Sequence, residues 1–158
     1  MRFKKIKAKG DKVHVEYEVE NSNGTWDEFS MTSAEKPLSS FEAAISNLEA
    51  HVIDMCEFGD NPAITVTGVS FSYGGDNGVM GASIIAIKTL KGSNVGLNIV
   101  TPHKASESYS EGKADPKQLL DEDCIKDLEA LCIEAEKYVK GNRQQLDLFA
   151  KQPAEATA

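Results

Sequence analysis

A chain of 158 residues with 41% apolar and 27% charged positions and only five prolines has the size and composition of one ordinary globular domain, which excludes disordered and collagen-like architectures. Its formal charge of −8 argues against general binding to a phosphate backbone, because an acidic body is repelled by a polyanion. The longest apolar stretch, residues 81–87, is too short to span a bilayer.

The mean charge hides a gradient. Residues 1–12 carry Arg2, Lys4, Lys5, Lys7, Lys9 and Lys12 against Asp11 alone, a local +5 that leaves −13 for everything after. No hydrophobic segment of signal-peptide length follows these charges, so a cytoplasmic protein is expected. Cys56, Cys124 and Cys132 are odd in number and form no C-x-x-C pair, which reads as reduced, mostly buried thiols. Cys124 and Cys132 fall about 12 Å apart along one helix and cannot bridge each other.

Phe3 to Lys9 and Val13 to Glu20 flank Gly10-Asp11, and the second run alternates, with Val13, Val15, Tyr17 and Val19 on one face and His14, Glu16, Glu18 and Glu20 on the other. That pattern predicts a β-hairpin with one wet face. Asn21-Ser22-Asn23-Gly24 is turn chemistry, and Thr25 to Met31 offers a third strand. Pro37-Leu38-Ser39 followed by Glu42 reads as a capping box with Ser39 as N-cap. Phe41, Ile45, Leu48, Val52 and Met55 then recur at helical spacing up to Phe58-Gly59.

From Ile64 to Tyr73 the apolar phase moves from even positions (Ile64, Val66) to odd ones (Val69, Phe71, Tyr73) across Gly68, the mark of a β-bulge there. Gly74-Gly75-Asp76-Asn77-Gly78 suits a hairpin loop, and Val79 to Leu90 and Val95 to Val100 follow as strands. Residues 102–114 read as a polar loop. Asp115-Pro116 then reads as N-cap and first helical residue of a second helix, with Ile125, Leu128, Leu131/Cys132, Ala135 and Tyr138/Val139 on its apolar side and Gly141 at its end. The expected fold is α+β: a mainly antiparallel sheet of about six strands in βββα-βββα order, covered on one side by two amphipathic helices. A single domain over residues 1–141 and a C-terminal tail over 142–158 are the expected divisions.

Signatures of catalysis are missing: there is no phosphate-binding G-x-x-x-x-G-K-[ST], no H-E-x-x-H, no G-x-S-x-G and no Cys/His spacing suited to zinc. His14, His51 and His103 are scattered, and Asp121-Glu122-Asp123 suits a helix N-terminus as it stands. The chain is read as a non-enzyme with no metal and no cofactor. Arg2, Lys4, Lys5, Lys7 and Lys9 form a basic strand whose simplest role is to protect a sheet edge from aggregation. The other role is contact with single-stranded DNA, with Trp26, Phe71 and Tyr73 as a stacking surface.

One segment is more specific. Gln145-Leu146-Asp147-Leu148-Phe149 resembles the pentapeptide Gln-Leu-(Ser or Asp)-Leu-Phe, by which bacterial and phage replication and repair proteins dock on the bacterial DNA polymerase III β sliding clamp. All five positions match, a coincidence expected in fewer than about one chain in a thousand of this length at ordinary residue usage. The resemblance implies that Leu148 and Phe149 enter an apolar pocket of the clamp, Gln145 makes polar contacts at its edge and Leu146 fills a second site. It makes the chain an accessory or modulator of DNA replication or repair, and a homo-oligomeric body would gain avidity on a ring with several equivalent pockets. The competing reading resumes the second helix after Gly141, placing Leu146, Phe149 and Ala150 on one face against the sheet.

Overall fold

The computed structural model describes residues 1–59, 62–108 and 115–144. Among the described residues seven strands are present: β1 (Arg2–Lys9), β2 (Lys12–Glu20), β3 (Trp26–Ser33), β4 (Ile64–Gly74), β5 (Val79–Lys88), β6 (Leu97–Val100) and β7 (Lys104–Ala105). The helices are α1 (Ser39–Ser46), α2 (Glu49–Met55) and α3 (Glu122–Val139). The class is α+β, and every strand ladder is antiparallel.

The spatial order β3-β2-β1-β4-β5-β6 sets two three-stranded meanders side by side, joined between their first strands. β1 is therefore an interior strand, and the edge-protection role expected for its lysines is incorrect. β3 is an edge instead. The sequence alone could not place β1, because pairing between the two halves is non-local.

The join is narrow. Only Lys5↔Ser70, Ile6↔Val69 and Lys7↔Gly68 pair β1 with β4. Between β4 and β5 the register runs Val66↔Ala86 and then Gly68↔Ile85, so the bulge expected from the phase slip is present, with Thr67 and not Gly68 as its extra residue. A side chain on residue 68 would collide with the Ile6 carbonyl oxygen, and its Cβ would lie 3.1 Å from Lys7 Cα. β1 carries a bulge of its own at Lys4, between Phe3↔Tyr17 and Lys5↔Glu16, which lets Phe3 and Ile6 both face the core despite their spacing of three.

α1 and α2 pack on β4, and α3 packs on α1 and β1, so the helices lie over the middle of the sheet. Phe41, Ile45, Leu48 and Val52 are all buried, which confirms the apolar stripe; the continuous helix expected there is instead bent at Asn47–Leu48. Tighter bonds, Leu48 N–H to Ile45 C=O and His51 N–H to Leu48 C=O, make the bend. The expected Ser39 cap is also corrected: Leu38 holds the extended N-cap position without a side-chain bond, and Ser40 Oγ donates to Glu134 of α3.

α2 ends in a Schellman arrangement, with Phe58 N–H on Ile53 C=O and Glu57 N–H on Asp54 C=O, and its left-handed residue is Glu57 at φ 55°. At the second helix the expected cap was displaced as well. Asp115 accepts from Lys117 N–H over a 3-10 turn at Pro116–Gln118, and α3 starts six residues later, where Asp121 accepts from Cys124 N–H at 2.7 Å. The loop expected from residue 102 contains β7. Pro102 has no N–H for the ladder, so the chain leaves β5 after β6 and returns to it at Gly81 and Ala82. The strands expected to end at Leu90 and to start at Val95 run instead to Lys88 and from Leu97. No helix among the described residues is long and apolar enough to cross a membrane.

Gly68→Ala forces a backbone clash at the join and lowers stability by about 3 kcal/mol, which a urea melt will read as a lower midpoint at similar slope. Glu57→Gly removes the side chain from a left-handed position and raises stability by about 1 kcal/mol in the same measurement.

Candidate partner-docking surface

The end of α3 decides how the chain approaches the clamp-like pentapeptide. Gly141 has φ 99°, Asn142 N–H donates to Lys137 C=O at 2.9 Å, and Gly141 N–H donates to Tyr138 C=O at 3.1 Å. These two bonds make a Schellman stop in which glycine takes the left-handed position that other residues disfavour. The α3 helix therefore does not run on through 141–144; Leu146, Phe149 and Ala150, on which the competing helical reading turns, lie outside the described residues. Pentapeptide residues Gln145, Leu146, Asp147, Leu148 and Phe149 lie outside the described residues.

Arg143 holds the exit. Its Nε donates to Tyr138 C=O at 3.1 Å, its Nη1 lies 3.2 Å from Ser33 Oγ and 3.1 Å from Glu35 Oε2, and its guanidinium stacks 4.4 Å above the Tyr138 ring. Tyr138 is itself buried, packs against Phe41 and donates its hydroxyl to Glu35 C=O. A forked, always-charged side chain stacked on an aromatic ring suits such a tie, since one group meets a carbonyl, a hydroxyl and a carboxylate together. Arg143 then bridges antiparallel to Pro37, and Gln144 N–H donates to Lys36 C=O at 2.8 Å.

Beside this exit lies a cleft of about 390 Å³ between the β1–β2 turn, the β3–α1 connection and α1. Ala8, Val13, Ala34, Pro37, Phe41 and Ile45 give it an apolar lining, and Lys12, Lys36, Asp11 and Glu42 stand around it. Its volume falls in the range of ordinary ligand pockets. Lys36 and Pro37, which bond the C-terminal segment, belong to its wall.

The structure divides the basic strand. Arg2 and Lys4 converge on Glu18, at 2.7 Å and 3.4 Å, and Lys4 also reaches Glu28 at 2.9 Å. Lys5, Lys7 and Lys9 form no ion pair among the described residues; Lys5 lies across from Glu16 and Lys7 from His14. The proposed stacking trio is not assembled. Phe71 is buried in the core, while Trp26 and Tyr73 sandwich the Arg2 guanidinium at 3.9 Å and 4.5 Å. Tyr73 also donates its hydroxyl to Phe3 C=O at 2.7 Å, and burial pushes its pKa up to about 12.

Two histidines have partners that sequence order hides. His51 Nε2 lies 2.6 Å from Asp127 Oδ2, tying α2 to α3, and His103 Nε2 lies 3.0 Å from Ser72 Oγ above Gly81. Gly81 is the legible part of the second pair, since any Cβ there would strike the His103 ring. Cys124 and Cys132 carry no disulfide, and burial pushes both thiols up to about 12, which keeps them protonated and unreactive.

The hydrogen bond from Arg2 holds the Glu18 carboxyl below its usual value of 4.5, against the opposing effect of burial. A depressed carboxylate stabilises the fold above its unfolded pKa, and that contribution is lost as pH falls through the folded value. Glu18→Gln is therefore less stable than the wild type at about pH 7, and urea melts will show the gap narrowing as the pH falls below 4.5. Some acid sensitivity persists in the variant, because the Lys137 hydrogen bond holds Glu134 down in the same way. No family model, no curated protein and no solved structure matches the chain.

Proposed function

We propose that the protein is a non-enzymatic accessory or modulator of bacterial or phage DNA replication or repair that docks on the β sliding clamp through Gln145–Phe149. The observation that carries this reading is the anchored exit: α3 stops at Gly141, and Arg143 and Gln144 fasten the chain to the body immediately before the pentapeptide begins. A short docking peptide works best from such a place. Its root is rigid, while its own residues are not needed to complete the helix that precedes it.

Leu148 and Phe149 supply the apolar area and Gln145 the polar contact, by the resemblance of all five residues to the clamp-binding peptide. Burying the two large side chains contributes about 3–6 kcal/mol before ordering costs, which places the isolated peptide in the micromolar range. Any occupant of the clamp pocket excludes other proteins that use it. The protein thus either delivers its body to replicating DNA or obstructs the polymerase. Single-stranded DNA is the weaker alternative, because Arg2 and Lys4 are committed to acids and Phe71 is buried.

The test is a calorimetric titration of purified bacterial β clamp with the full-length protein and with Leu148→Ala/Phe149→Ala. Micromolar binding by the wild type, at least tenfold weaker in the double variant with an unchanged circular dichroism spectrum, is the expected result. An unfolded double variant would show that these side chains serve the protein's own interior.

A further inference from the structure

We infer that the apolar cleft beside the β3–α1 connection is a binding site for the chain's own C-terminal segment, and that Leu146, Leu148 and Phe149 occupy it whenever no partner holds them. The inference rests on the docking role of the same peptide and adds its regulation. Two independent observations lead to it. The cleft is lined by Ala8, Val13, Ala34, Pro37, Phe41 and Ile45 and measures about 390 Å³, a size suited to a few apolar side chains and not to a single water. The last described backbone bond, Gln144 N–H to Lys36 C=O at 2.8 Å, fastens Gln144 to a residue of that same cleft's wall.

The four charges around the cleft, Lys12, Lys36, Asp11 and Glu42, cancel, so the site does not repel a pentapeptide whose one acid is Asp147. Three of the five pentapeptide residues are large and apolar, and apolar groups clustered at a chain end are covered by a partner or by the body that carries them. The segment is joined directly to Gln144, which is fastened at the cleft's wall, and a short linkage of that kind gives an effective concentration of the order of millimolar. Even a weak intrinsic affinity then fills the site.

Occupied in this way, the cleft competes with the clamp. The apparent clamp dissociation constant equals the intrinsic one divided by the fraction of free segment, so a segment docked about 90% of the time binds the clamp about tenfold more weakly than a released one. Clamp binding is then switched by whatever fills or distorts the cleft.

The experiment uses the full-length protein with labelled methyl groups. Cross-peaks between Leu148 or Phe149 and the methyls of Val13, Ala34 and Ile45 are expected in the wild type. They should disappear in Ala34→Trp, which fills the cleft from an exposed position, and Ala34→Trp should bind the clamp about tenfold more tightly. Ser46→Trp fills the opposite wall, also from an exposed position, and serves if Ala34→Trp does not fold. Cross-peaks without clamp binding by any variant would leave the cleft assignment standing and remove the clamp reading. Clamp binding without cross-peaks, with equal affinity in the filled variants, would overturn the cleft assignment and keep the clamp reading. Contacts that appear only between differently labelled copies would also overturn it, since the occupant would then be a second molecule.

Discussion

Two three-stranded meanders meet along three residue pairs, Lys5–Ser70, Ile6–Val69 and Lys7–Gly68, and this ladder exists because residue 68 has no side chain. The bulge at Thr67 turns Val69 and Phe71 toward the helices after Ile64 and Val66 have already pointed there, so β4 buries apolar residues on both sides of the slip. Close backbone approach and reversal of phase thus occur at one position. Without it the sheet would divide into two half-sheets, each too small to bury the stripe of the helices above it.

The helices extend the same constraint. α1, α2 and α3 cover the joined centre, where Ile6, Val15, Val69 and Ile84 meet Phe41, Leu48, Leu128 and Leu131, and the outer strand β3 remains largely exposed. Polar ties close the margins of this core. Glu18 gathers Arg2 and Lys4 at one corner, His51 meets Asp127 between α2 and α3, and Arg143 closes the corner formed by β3, α1 and the end of α3. Through the last of these, Arg143 and Gln144 are held beside the apolar cleft whose wall includes Lys36 and Pro37.

On the two proposals above, the pentapeptide has two places to bury the same leucines and phenylalanine, the partner's pocket and the cleft. Such a pair of sites gives control without a second domain, because the partner must exceed the tether's effective concentration before it gains the peptide. On the docking role proposed above, the acidic charge of the body suits a carrier or competitor at the clamp better than a body that grips DNA on its own.

Local physics made much of this legible in the sequence. Period-two alternation in Val13–Glu20, period-3.6 recurrence from Phe41 and from Cys124, the slip across Gly68, the stop at Gly141 and the pentapeptide at 145–149 all depend on residues a few positions apart, which a linear reading can register. The structure decided what depends on distant residues. β1 became interior by pairing with β4, Phe71 went into the core while Arg2 took Trp26 and Tyr73, and the Ser39 and Asp115 caps gave way to Leu38 and Asp121 once the helices settled on the sheet. The cleft was least legible of all, because its walls come from residues 8–13, 34–37 and 41–46, and only folding brings their small and apolar side chains around one space. Sequence spacing encodes a residue's face on its own element; which element that face meets is set by packing across the whole chain.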